Sequence, residues 1–107
     1  MELHEKLGIK KHLLIQIQNI VSKCTSVEKT LIFGSRARGN YKENSDIDIA
    51  VLGKNISLKE LNIIVDSLNE LSTALDFDVI NIQNLSKKEL LDNILKDGVE
   101  IYVKRQD

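Results

Sequence analysis

Apolar residues along the chain come in two rhythms, and the switches between them divide it into elements. Ile9, Leu13, Ile17, Ile20 and Cys24 recur at helical spacing and predict one amphipathic helix from about residue 3 to 23. Thr30-Leu31-Ile32-Phe33 is a short apolar run closed by Gly34, the form of a buried strand; Asp46 to Leu52 (DIDIAVL), closed by Gly53, predicts a second, and residues 75–82 (LDFDVINI) a third. Ser57-Leu58-Lys59-Glu60 has the form of a capping box, and Leu58, Leu61, Val65, Leu68 and Leu71 follow on one face, predicting a helix over about 57–72. Ser86-Lys87-Lys88-Glu89 repeats the box and predicts a helix ending near Lys96 with Gly98 as its stop, before a last strand over Val99 to Val103. The order helix, strand, strand, helix, strand, helix, strand predicts an α+β fold in two layers, a mixed sheet of about four strands with helices packed against it. With no proline, repeat or low-complexity tract, no linker is visible, so residues 1–107 are expected to form a single domain.

Composition narrows the function classes. Fifteen basic and 16 acidic residues nearly cancel, which argues against broad nucleic-acid binding. Cys24 is the only cysteine, so no internal disulfide or thiolate metal site is expected. The amino terminus lacks signal-peptide character and no stretch is long and apolar enough to span a bilayer, which makes the cytoplasm the expected location.

The chemistry concentrates in residues 34–48, GSRARGNYKENSDID. A glycine after a buried strand, followed by Ser35 and the helix-forming Arg36-Ala37-Arg38, resembles a strand-to-helix turn with Ser35 as its cap. Amide groups at such a turn suit a phosphate, and Gly34 lets it approach the backbone. A plain turn is the alternative. Gly34 and Gly39 have P-loop spacing, but Asn40 and Tyr41 stand where a P-loop needs Lys and Ser or Thr, so that reading fails.

Asp46 and Asp48, two residues apart on a strand, leave the same face, while Ile47, Ile49 and Val51 take the other. Like charges so placed repel, and a hard divalent cation removes the repulsion; a solvated edge strand is the bland alternative. Asp76 and Asp78 repeat the pattern, and Asp78, flanked by apolar residues, is expected to need a partner, which a cation shared with Asp46 and Asp48 would supply. Gly-Ser, ten residues, then Asp-x-Asp would match by chance in about one chain in a thousand of this length.

This constellation, with FDVINI on a later strand, resembles the minimal nucleotidyltransferases of the DNA polymerase β superfamily, and the closing LSKKELLDNILKDGVEIYV is similar to the family's final helix and strand. The resemblance implies the polymerase β palm-like nucleotidyltransferase fold. It gives Gly34, Ser35 and Arg38 to the nucleoside triphosphate, and Asp46, Asp48 and Asp78 to two Mg²⁺ ions and catalysis, with Asp78 helping to deprotonate an acceptor hydroxyl. Many relatives carry a second aspartate where this chain has Asn81; the roles of Arg36 and Asp76 stay open.

The implied activity is transfer of a nucleoside monophosphate, AMP from ATP, onto a hydroxyl. The chain is expected to be too short to build an acceptor pocket as well. Minimal members of the family resemble one half of a pair whose other half is a helical bundle, in some cases a HEPN-type toxin that the nucleotidyltransferase counters as antitoxin. The alternative is a non-catalytic antitoxin or binding subunit that keeps the fold; all three carboxylates and the Gly-Ser turn favour the enzyme. A homodimer is left open. His4 and His12 are expected on the helix surface, and Cys24 to pack as a small apolar group.

Overall fold

The computed structural model describes residues 1–105. Its elements are α1 (Leu3–Leu7), α2 (Lys11–Ser22), β1 (Lys29–Phe33), α3 (Ser35–Arg38), β2 (Ile47–Leu52), α4 (Leu58–Asn69), β3 (Phe77–Asn81), α5 (Lys88–Asp97) and β4 (Val99–Val103), with a 3₁₀ turn at Ile82–Asn84. The four strands form one mixed sheet in the order β3-β2-β1-β4. β1 runs antiparallel to both β2 and β4, and β2 and β3, joined through α4, are parallel.

Strand alternation sends Ile32, Ile47, Ile49 and Val51 to one face, where they are fully buried with Leu7, Ile17, Val21, Ile64 and Leu68 from the helices. Leu31 and Ala50 point the other way and meet Ile94 of α5 in a smaller cluster, so α5 adds a partial layer on the second face. The expected α+β class and four-stranded mixed sheet are therefore observed. Thr30, wholly buried in β1, holds a hydroxyl with no hydrogen-bond partner. Thr30→Val removes that unmet group at nearly constant shape and is expected to stabilise the fold by about 1 kcal/mol in denaturant titrations.

Three local expectations change. The helix over 3–23 is two helices, because Gly8 adopts φ 67° and caps α1 in the left-handed conformation, its N–H donating to the Glu5 carbonyl and the Ile9 N–H to that of His4. Apolar spacing continues across the break because Leu7 and Ile9 are both buried in the same core. Cys24 then lies beyond the end of α2, part of the main cluster and donating through Sγ to Glu60. The box proposed at Ser86–Glu89 does not form: α5 starts after Lys87, with no side-chain cap.

The box at Ser57 does form. Its hydroxyl accepts from Glu60 N–H at 3.1 Å and Glu60 Oε1 accepts from Ser57 N–H at 2.9 Å. The same carboxylate accepts from Ser26 Oγ at 2.7 Å and Cys24 Sγ at 3.4 Å, tying α4 to the α2–β1 connection. The Ser26 hydrogen bond, then those from Ser57, lower the Glu60 carboxyl from 4.5 to about 2. A depressed carboxyl contributes stability above its ordinary pKa that is lost as pH falls towards the folded value. The dependence of Tm on pH between about 4.5 and 2 is therefore expected to flatten in Glu60→Gln, measured by circular dichroism melts.

Candidate active site

The site begins where β1 ends. Gly34 takes φ 74° and ψ −152°, open essentially only to glycine, and turns the chain directly into α3. Gly34 rather than Ser35 is the N-cap residue; Ser35 is the first helical residue, and no side chain caps the turn. A Cβ on Gly34 would run into the Asp48 carboxylate, so the missing side chain makes room for that group.

Asp48 stands in the middle of a row across the sheet. It pairs in register with Phe33 of β1 on one side and Asp78 of β3 on the other. Asp46 lies one residue before β2 and is exposed, while the Ile47 N–H donates to the Asp76 carbonyl at 2.9 Å, closing the entry of β2 against β3. Asp48 is half-buried, and its carboxyl is raised above the ordinary range, first by burial and then by Asp78 and Asp46, with Arg38 opposing. Five of the six candidate residues, Gly34, Arg38, Asp46, Asp48 and Asp78, thus meet at the Asp48 carboxylate, and Ser35 follows the turn.

One expectation fails at Asp78. Its apolar neighbours predicted a carboxylate in need of a partner, but the side chain is exposed: Phe77 and Val79 face the main core, and alternation turns Asp78 outward. Asn81 is buried and its Oδ1 accepts from the Gln83 N–H at 3.1 Å, so it caps the 3₁₀ turn after β3. Asp76 is exposed, and its carbonyl makes the strand-entry bond noted above.

All three aspartates offer hard oxygen donors, with no sulfur or imidazole among them, and the charge crowding at Asp48 is what a hard divalent cation such as Mg²⁺ relieves. The residues therefore fit such an ion. Among the described residues the group of three whose donor atoms all lie within 4.8 Å of one another is Glu2, His4 and Glu5 at the amino terminus; the aspartates are spread more widely. Neither surface cavity of note contains them. One, of about 540 Å³, lies between the end of α2 and α4, bounded by Ile20, Cys24, Ile63 and Leu71. The other, of about 830 Å³, borders the α1–α2 junction and the loop at Glu43 and Asn44.

The residue missed by sequence reading is Arg36. It is wholly buried, with its guanidinium among backbone carbonyls, whereas Arg38 is exposed. Residues two apart on a helical turn leave it on nearly opposite sides, a signal available in GSRARG.

Known proteins resemble this chain in sequence and in fold. The family model described as "Polymerase beta, Nucleotidyltransferase" matches residues 15–107. A Methanocaldococcus jannaschii protein that carries the name protein adenylyltransferase is 32% identical over 80 residues, which cover 70% of this chain and 79% of that one. A chain from the crystal structure of a toxin–antitoxin complex with AMP-PNP superposes with a TM-score of 0.68 at 19% identity, covering 91% of this chain and 76% of that one. A chain from the structure of a tri-AMPylated Shewanella oneidensis HEPN toxin in complex with MNT antitoxin gives 0.66 at 17% identity, over 88% and 72% of the two chains. These structural likenesses show the fold. With the family model spanning most of the chain and the archaeal relative in agreement, the protein belongs to the polymerase β-like nucleotidyltransferases and is an enzyme of that class.

Proposed function

We propose that the chain moves AMP from ATP onto a hydroxyl of a helical-bundle partner of the HEPN type, and so acts as the antitoxin of a toxin–antitoxin pair. The observation that carries the chemistry is the row Gly34, Asp48, Asp78: a turn stripped of its side chain against one carboxylate, with a second carboxylate beside it in register. The acceptor class is supported by the archaeal relative named for protein adenylylation and by the fold shared with a complex holding an AMPylated HEPN toxin.

In this reading the Gly34–Ser35 turn and Arg38 bind and orient the triphosphate. Asp46, Asp48 and Asp78 would hold Mg²⁺, which when bound neutralises the triphosphate and leaving group and acidifies the acceptor hydroxyl. The acceptor oxygen bonds to the α-phosphorus as the bond from that phosphorus to the bridging β-oxygen breaks, and pyrophosphate leaves. Asp78, exposed at the outer side of the row, takes the acceptor proton on a carboxylate oxygen. The protein's share is placement and charge.

The test is incubation with each nucleoside triphosphate, Mg²⁺ and the product of the neighbouring gene, read by intact mass. An increment of one AMP on the partner, dependent on ATP, is the expected result. Neutralisation of the partner without any adduct would replace this reading with a binding subunit.

A further inference from the structure

Arg36 follows Ser35 by one residue, yet its side chain serves the other end of the motif. Its Nε and Nη2 both donate to the Ser45 carbonyl, at 3.1 and 2.8 Å, and Ser45 immediately precedes Asp46. Nη2 also donates to Glu43 at 3.1 Å, and Nη1 to the carbonyls of Leu7 and Gly8 at 3.1 and 2.9 Å. The Tyr41 ring lies over the guanidinium, 5.1 Å from centroid to Cζ, and a Cβ on Gly8 would strike that ring. No ion pair among the described residues includes Arg36; its charge is met by carbonyl dipoles and an aromatic face. Removed from water, it is held to a lowered pKa by burial, with Tyr41 and Asp46 opposing.

The segment it holds has little else to fix it. Between α3 and β2, Asn40, Lys42, Glu43 and Asn44 are exposed, and the loop's own bonds are a reciprocal pair between Lys42 and Ser45. We propose that Arg36 is a positioning residue: a clasp that fixes the loop ending at Asp46 against both the Gly34–Ser35 turn and the carbonyl end of α1. This rests on reading Asp46 as a metal ligand. The planar fork matters, because five bonds to four carbonyls exceed what the three donors of a lysine can make in one plane.

The experiment compares the full chain with Arg36→Lys and Arg36→Met, the second leaving no buried charge should the first fold poorly. Amide exchange is followed at Lys42 and Ser45 in the loop and at Ile49 and Val51 in β2, well below the melting temperature, and Mn²⁺ affinity is titrated on the same samples. In both variants loop exchange is expected to accelerate at least about tenfold relative to β2, since a hydrogen bond to a charged donor is worth that much or more, and Mn²⁺ affinity to fall about tenfold. A merely structural role would accelerate loop and strand together and leave Mn²⁺ affinity per folded molecule unchanged; either result overturns the clasp. Absence of Mn²⁺ binding in the parent chain would refute the metal reading instead, and the loop-to-strand exchange ratio would still decide whether Arg36 holds the loop.

Discussion

Asp48→Asn is expected to abolish nucleotidyl transfer, by at least about a thousandfold, while raising the thermal stability of the ligand-free protein. The two effects share one cause. Asp48 is the half-buried member of the acidic row, and burial, Asp78 and Asp46 all raise its carboxyl pKa. A carboxyl raised in the folded state is one whose charge the fold disfavours, so at neutral pH the ionised group works against folding. Asparagine keeps the shape and removes the charge; the repulsion at this position disappears, and with it the anionic donor that would hold a divalent cation, a neutral carbonyl oxygen being a weaker ligand. Transfer assays with the partner protein and a calorimetric melt measure the two arms. A variant that loses transfer and also melts lower would show that Asp48 is held in place by interactions the register does not reveal. One that gains stability and keeps full transfer would remove Asp48 from the proposed metal site.

The sequence made the sheet face of the aspartates legible because strand alternation is strict: once Ile47, Ile49 and Val51 are assigned to the core, Asp48 has one direction left. Capping was half legible. Ser57 and Glu60 form the reciprocal bonds that their spacing promised, whereas Ser86 and Glu89 share that spacing and do not, since α5 starts a residue later. The first helix was misread because apolar periodicity measures burial, and Leu7 and Ile9 remain buried on both sides of the break that Gly8 makes. Asp78 was misread for the opposite reason. Apolar neighbours in a strand flank a residue in sequence without surrounding it in space, and Asp78 points out between two residues that point in. The pairing of β2 with β3, which brings Asp78 beside Asp48, depends on the parallel register set by the α4 crossover, and no local pattern encodes it. GSRARG places Arg36 and Arg38 on opposite sides of the turn, but what Arg36 holds stayed hidden, because its partners, Leu7, Gly8, Glu43 and Ser45, contribute backbone carbonyls, which carry no signature of residue type.

Gly34→Ala is expected to lower stability by about 2–4 kcal/mol and transfer by a hundredfold or more. Two costs combine at this residue. The backbone sits at φ 74° and ψ −152°, a region that side chains disfavour by roughly 1–3 kcal/mol, and it must stay there because β1 ends and α3 begins within one residue. The added methyl group would also occupy the space of the Asp48 carboxylate, and Asp48 belongs to a strand paired on both sides that cannot retreat. The carboxylate must therefore rotate away, which in the proposed mechanism moves a metal donor away from the turn that holds the triphosphate. A double-mutant cycle separates the costs: with Asp48→Ala in the background, the steric cost vanishes and the backbone cost stays. The stability penalty of Gly34→Ala should then shrink by about half, measured by urea titration. An undiminished penalty would place the whole cost in the backbone, and Gly34 would then serve the turn alone; a coupling of the expected size makes the glycine and the aspartate one unit, with the side chain missing from the first so that the charge of the second can stand against the turn.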